Sequence, residues 1–221
     1  MSKYKGIIFD LDGTLLDTLS DLANSVNEAL ESYSYPTHAK DAYRLKIGRG
    51  FRNLIEQSMP ENTDPAIIDA GLQRFLAAYS ENYNKETKPY EGIVSLLTAL
   101  QQKGIALAVN SNKRDDYTHN LLRQLLPELD FIAVYGERHD VAKKPDPQAA
   151  LKIAGLMKLE PQEIVYIGDS KTDMVTAHNA GMDSIGVLWG FRDEAELKQY
   201  HATYLVKRPQ EIYDIIFPES E

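Results

Sequence analysis

The chain has 221 residues, 43% of them hydrophobic, enough for one large domain or a core domain with a smaller companion. Its formal net charge of -9, from 24 Lys+Arg against 33 Asp+Glu, excludes a broad electrostatic attraction to nucleic acid or an anionic membrane. The absence of cysteine excludes disulfides, thiolate metal sites and a cysteine nucleophile, which leaves Asp, Ser, Lys and His to carry any chemistry.

The opening segment, MSKYKGIIFD, has no apolar run of signal-peptide length, and no later stretch approaches the length needed to cross a bilayer. A soluble, cytoplasmic protein is the expectation. Residues 5–9 read as a short buried strand that runs directly into Asp10 and Asp12. Burying an ionised carboxylate without a partner is costly, so a strand ending this way needs a cation, a reacting ligand or open water. The segment from about residue 18 to 88 contains no convincing strand and offers helical patterns such as LSDLANSVNEALESY and PAIIDAGLQRFLAAYSENYN. It is too long for a loop. It is expected to be a helical insertion, residues 17–87, between two parts of one sheet domain, residues 1–16 and 88–221. Asp17 and Thr18 fit capping positions of its first helix. IGRGF, around Gly48–Gly50, lacks a preceding strand and a third glycine and reads as a corner between helices. Tyr79 and Tyr83 read as packing residues between insertion and core.

Beyond the insertion, GIVSLLTALQQKG repeats apolar residues at helical spacing and stops at Gly104. IALAVN, FIAVYG, EIVYIG and SIGVLWG read as buried strands, with helical patterns QAALKIAGLMKL and TDMVTAHNAG between them. Alternating strands and helices predict an α/β fold, a Rossmann-like parallel sheet, with ligands beyond the carboxyl ends of its strands. Those ends carry polar residues: Asp10 and Asp12, Ser111 in AVNSNK, Lys144 in KKPDP, and Asp169 and Asp173 in YIGDSKTD. Asn112 and Lys113 are expected to open the helix after Ser111, with its N–H groups toward an anion. The five histidines show no metal-ligand spacing.

Together these residues supply hard oxygen ligands of the kind Mg²⁺ prefers, with a hydroxyl and a fixed positive charge for a phosphoryl group. DLDGT, the Ser111 strand end, Lys144 before Pro145, and GDSKTD, in this order, resemble the haloacid dehalogenase-like superfamily over nearly the whole chain, with a helical cap domain. The resemblance implies a Mg²⁺-dependent phosphatase in which Asp10 is the nucleophile and Asp12 the general acid and base. It further implies that Asp10, the Asp12 backbone carbonyl and Asp169 hold the metal, with Asp173 orienting, and that Ser111, Asn112 and Lys144 bind phosphate. Within the superfamily, IGRGF, KPDP and LWGF look like the phosphoglycolate phosphatase branch, which would bring Gly50 close to substrate and Arg49 or Arg52 to its carboxylate. A pyrophosphatase, a β-phosphoglucomutase-like transferase and a catalytically silent module on the same fold are the rival expectations. The expected partner is a small phosphate ester, with no nucleic acid and no membrane.

Overall fold

The computed structural model describes residues 2–218. Its central strand, β1 (Gly6–Phe9), is buried along its whole length, as a strand covered on both faces must be. The chain then makes β2 (Leu16–Asp17), which pairs antiparallel with β3 (Lys88–Pro89). Between these two short strands lie α1 (Leu19–Ser32), a 3-10 turn (Lys40–Leu45), α2 (Phe51–Glu56) and α3 (Pro65–Asn82). The chain therefore leaves the sheet and returns to it at one place. It continues through α4 (Ile93–Gln102), β4 (Ala106–Arg114), α5 (Asp115–Leu125), β5 (Ala133–Glu137), α6 (Gln148–Met157) and β6 (Ile164–Gly168). The last elements are α7 (Lys171–Asn179), β7 (Asp183–Val187), α8 (Glu194–Gln199), β8 (Tyr204–Val206) and α9 (Pro209–Ile216).

Six strands form one parallel sheet in the order β5-β4-β1-β6-β7-β8, the α/β architecture that the alternating pattern predicts. Strand period two sends Ile7 and Phe9 to one face, where they pack with Leu107, Val109, Val165 and Ile167 and with apolar residues of α4, α5 and α9. Ile8, Ala108 and Tyr166 face the other way, against α6 and α7. The order of strands reverses at β1, because the chain builds outward to β5 and then crosses back to β6. The carboxyl ends of β1, β4 and β6 border the crevice this reversal opens.

The helices between β2 and β3 have their own apolar cluster, built on Leu22, Val26, Phe51, Leu54, Phe75 and Tyr79. Tyr117 of α5 and Phe191, after β7, join it from the sheet side. Tyr79 and Tyr83 both pack against Tyr117, at a tilt and edge-on respectively, so the tyrosines pack where the sequence suggested. At the foot of the insertion, Asp21 is buried and accepts hydrogen bonds from the Glu86 and Thr87 N–H groups and the Thr87 hydroxyl. That carboxylate fastens the outgoing helix to the returning chain.

Three local expectations are corrected. β4 continues to Arg114, which pairs with Glu137 across a bulge, so Asn112 and Lys113 are strand residues and the helix begins at Asp115. β7 ends at Val187, leaving Trp189 and Gly190 in a loop. Thr18 is the residue before α1, but its hydroxyl makes no capping bond, and the Leu19 N–H donates to Asp17 instead at 3.3 Å. No helix among the described residues is long and apolar enough to cross a membrane.

Candidate active site

Asp10 stands one residue beyond β1, with its backbone N–H donating to the Ile167 carbonyl of β6, so the sheet ladder itself positions it. Asp169 follows β6 directly, and Asp173 lies one turn into α7. One oxygen from each of these three buried carboxylates falls within 4.8 Å of the others. Lys144, from the loop between β5 and α6, reaches between them, with its ammonium 2.8 Å from Asp10 Oδ1 and 2.7 Å from Asp173 Oδ1. Asp173 also closes a capping box, its Oδ2 accepting from the Ser170 hydroxyl at 2.7 Å and the Ser170 N–H at 3.1 Å. Both of its oxygens are thereby engaged.

Three buried carboxylates and one ammonium leave an excess of negative charge. Burial first, and then the charge of Asp173, push the Asp10 carboxyl up to about 7, against the pull of Lys144. Burial, Asp173 and Asp10 likewise push Asp169 well above the ordinary carboxylate range. Burial alone would lower Lys144, but Asp10 and Asp173 together hold it well above the usual lysine value, so it stays an ammonium. A cluster of oxygen donors short of positive charge is a fitting seat for a hard divalent cation.

Backbone comes close to Asp169 because glycine allows it. A Cβ on Gly13, at φ +80°, would sit 2.3 Å from Asp169 Oδ2, and one on Gly190 would sit 2.3 Å from Asp169 Cβ. The Phe191 N–H donates to Asp169 Oδ2 at 2.6 Å. Trp189 reaches back to donate its indole N–H to the Thr14 carbonyl at 3.0 Å, tying the loop after β7 to the loop after β1. The tryptophan is thus a packing and anchoring residue.

Asp10, Asp12, Ser111, Asn112 and Lys144 border one cavity of about 20 Å³, roofed by the insertion at Gly48, Gly50 and Phe51. Asn112 commits its side chain to neighbouring backbone. Its amide bonds both backbone groups of Lys144, at 2.9 and 3.1 Å, and the Gly48 carbonyl at 3.0 Å. It fixes the lysine loop and pins the insertion. Lys143, by contrast with its neighbour, is exposed and pairs with Glu137. Gly50 lies against that pair, where a Cβ would come within 2.8 Å of Glu137 Oε2. Arg49 borders outer grooves with Lys171 and Thr172, and Arg52 is held by Asp69 and Glu56. Neither arginine lines the inner cavity.

Two side-chain roles escaped the sequence reading. Lys113 has a fully buried side chain whose ammonium lies 3.0 and 3.3 Å from the two Asp12 oxygens, with the rings of Phe51 and Tyr79 at 5.3 and 5.1 Å. Its signal was the two-residue offset from Ser111, which on a strand shares a side. Arg192 donates from its guanidinium to the carbonyls of Arg44, Leu45 and Ile47, while Arg44 bonds the Gly190 carbonyl, so the loop after β7 also grips the insertion. Nothing local in the sequence announced that pairing.

A parallel α/β sheet with a carboxylate and lysine centre at its switch point, roofed by inserted helices, defines a class of hydrolase-like α/β proteins. The family description that matches residues 7–187 is "Haloacid dehalogenase-like hydrolase". This chain belongs to that family. It is 30% identical to a phosphoglycolate phosphatase of Mannheimia succiniciproducens over 97% of its own length and 99% of the relative's. It is 35% identical to the one of Agrobacterium fabrum, over 84% and 81%. A crystal structure from Lactobacillus delbrueckii subsp. bulgaricus, of a protein proposed to be a phosphoglycolate phosphatase, superposes with TM-score 0.92 at 30% identity, covering 98% of this chain and 100% of the other.

Proposed function

We propose that the protein is a Mg²⁺-dependent phosphomonoester hydrolase working through an aspartyl phosphate, with 2-phosphoglycolate as its substrate. The carrying observation is the convergence of Asp10, Asp169 and Asp173 around Lys144 at the switch point of the sheet. Asp10, Asp169 and the Asp12 backbone carbonyl are the proposed metal ligands, and Asp173, committed to Lys144 and Ser170, orients beside them. When bound, the divalent ion offsets the charge of the phosphoryl oxygens, so that an anionic nucleophile can approach phosphorus.

In the first step an Asp10 oxygen forms a bond to phosphorus while the ester P–O bond breaks, and Asp12 gives a proton to the departing oxygen. In the second, water attacks the aspartyl phosphate, Asp12 takes its proton, and Asp10 is regenerated with release of inorganic phosphate. Ser111 and Lys144 bind the phosphoryl oxygens throughout. The proposed domain division, residues 17–87 as a cap over residues 1–16 and 88–221, gives the cap the task of excluding bulk water and choosing the leaving group. The choice of 2-phosphoglycolate rests on the names of the relatives.

The test is phosphate release with and without Mg²⁺ across 2-phosphoglycolate, pyrophosphate, β-glucose 1-phosphate and an aryl phosphate. Mg²⁺-dependent turnover with 2-phosphoglycolate far ahead in kcat/KM, and its loss in a folded Asp10→Asn variant, is the expected result. Full activity in that variant overturns the nucleophile assignment, and level activity across the panel overturns the substrate.

A further inference from the structure

Lys113 is unusual among the lysines of this chain, because its charge is buried and yet lies outside the carboxylate cluster. Its ammonium, among the described residues, hydrogen-bonds Asp12 alone, while the faces of Phe51 and Tyr79 cover it from the insertion. An ammonium has three donors, and aromatic faces stabilise a cation without competing for them. Lys113 borders the same small cavity as Asp10, Asp12 and Ser111, so the remaining donor capacity adjoins the space where a leaving group must sit.

The partnership with Asp12 is the telling feature. In the reaction proposed above, Asp12 engages the oxygen that leaves phosphorus, so the lysine bound to Asp12 stands beside that oxygen. Its two bonds to Asp12 leave one donor for a further acceptor in the cavity. A carboxylate on the leaving group fits that donor. In an ester of a 2-hydroxy acid that carboxylate is two bonds from the ester oxygen, within reach of an ammonium 3.0 Å from the acid that touches the same oxygen. The two cap arginines are poor candidates for the role, since Arg52 is engaged by two carboxylates and Arg49 faces the outer grooves.

We propose that Lys113 selects the leaving group, its ammonium binding a carboxylate adjacent to the ester oxygen, so that the preferred substrates are phosphate esters of small 2-hydroxy acids. This rests on the phosphatase reading and deepens it by naming the residue that reads the substrate. Because Phe51 and Tyr79 come from the insertion and Lys113 from β4, the recognition site is complete only with the insertion seated over the sheet.

The experiment compares kcat/KM, at saturating Mg²⁺, for 2-phosphoglycolate and for 2-hydroxyethyl phosphate, which keeps the size and replaces the carboxylate with a neutral group. Wild type, Lys113→Met and Lys113→Arg are measured on both esters, with circular dichroism to establish folding. The wild type is expected to prefer the carboxylate ester strongly, and Lys113→Met to lose roughly 10- to 100-fold of that preference. Lys113→Arg, which keeps the charge, is expected to retain more of it. An equal fall on both esters in Lys113→Met overturns the proposal, because the lysine then serves Asp12 alone. Equal wild-type rates on the two esters overturn it without recourse to any variant, and leave the phosphatase reading standing. Hydrolysis of an aryl phosphate but of neither ester removes the substrate reading itself, and the lysine's role with it.

Discussion

Replacing Lys144 with methionine tests the electrostatics of the centre directly. The substitution keeps most of the aliphatic stem and deletes an ammonium that is 2% exposed and within 2.8 Å of two buried carboxylates. Removing one partner of a buried ion pair costs about 3–5 kcal/mol, because the remaining charge is left uncompensated. For a chain of this size each kcal/mol moves the melting temperature by about 2–4 °C, so Lys144→Met in metal-free buffer is expected to melt roughly 6–20 °C below the wild type. Lys143→Met is the matched comparison. That lysine is 45% exposed on a surface pair with Glu137, worth about 0–1 kcal/mol, and its loss should shift melting by no more than about 4 °C. Added Mg²⁺ should recover part of the Lys144→Met deficit, since a ligand at 100 times its dissociation constant contributes about 2.7 kcal/mol. Thermal unfolding with and without Mg²⁺, beside phosphate release, makes the measurement. Equal losses in the two variants, or an unshifted Lys144→Met, would refute the reasoning.

The same charge balance sets a pH dependence. Asp10 is held at about 7 in the folded chain and titrates in the ordinary carboxylate range when unfolded, so between about pH 4 and 7 the folded state binds more protons. Metal-free stability from this group therefore falls as pH rises through that window, and the gain in melting temperature on adding Mg²⁺ should be larger at pH 8 than at pH 6; an equal gain at both counts against a metal on these carboxylates. Asp21→Ala leaves three donors at the foot of the insertion without their acceptor, and urea unfolding should show a loss of roughly 3 kcal/mol or more, whereas a loss below about 1 kcal/mol denies Asp21 its fastening role. Gly13→Ala strains a positive φ and drives a methyl into Asp169 Oδ2, so calorimetry should find Mg²⁺ affinity reduced by roughly 10- to 100-fold with the far-ultraviolet spectrum preserved; unchanged affinity would separate Asp169 from the metal.

Much of this arrangement was legible before any coordinates. Alternating apolar strands and amphipathic helices specify a parallel sheet because period and burial are local properties of the chain. Carboxylates set directly behind a buried run stood out because so costly a placement calls for a compensating group. Elsewhere local reasoning failed for identifiable causes. Asn112 was expected at a helix start, but the strand continues past it, and its side-chain amide bonds the Lys144 backbone and the Gly48 carbonyl. Arg49 and Arg52 were candidate substrate contacts only through the resemblance of IGRGF to a family loop, and local pattern could not show that Arg49 borders the outer grooves or that Arg52 pairs with Glu56 and Asp69.

Although Ser111 lies within β4 and Lys144 in the loop between β5 and α6, the sequence by itself determined the fold class, the placing of Asp10 and Asp169 directly behind buried strands, and the presence of a helical insertion after β1. These follow from patterns spanning a few residues, where side-chain period and the cost of burying charge leave little choice. Tertiary structure alone decided that Lys144 bridges Asp10 and Asp173, that Lys113 meets Asp12 across 101 positions of chain, and that Phe51 and Tyr79 close over that pair. Such pairings depend on the register of β4 against β1 and on the seating of the insertion, and both are set by packing between residues far apart in sequence.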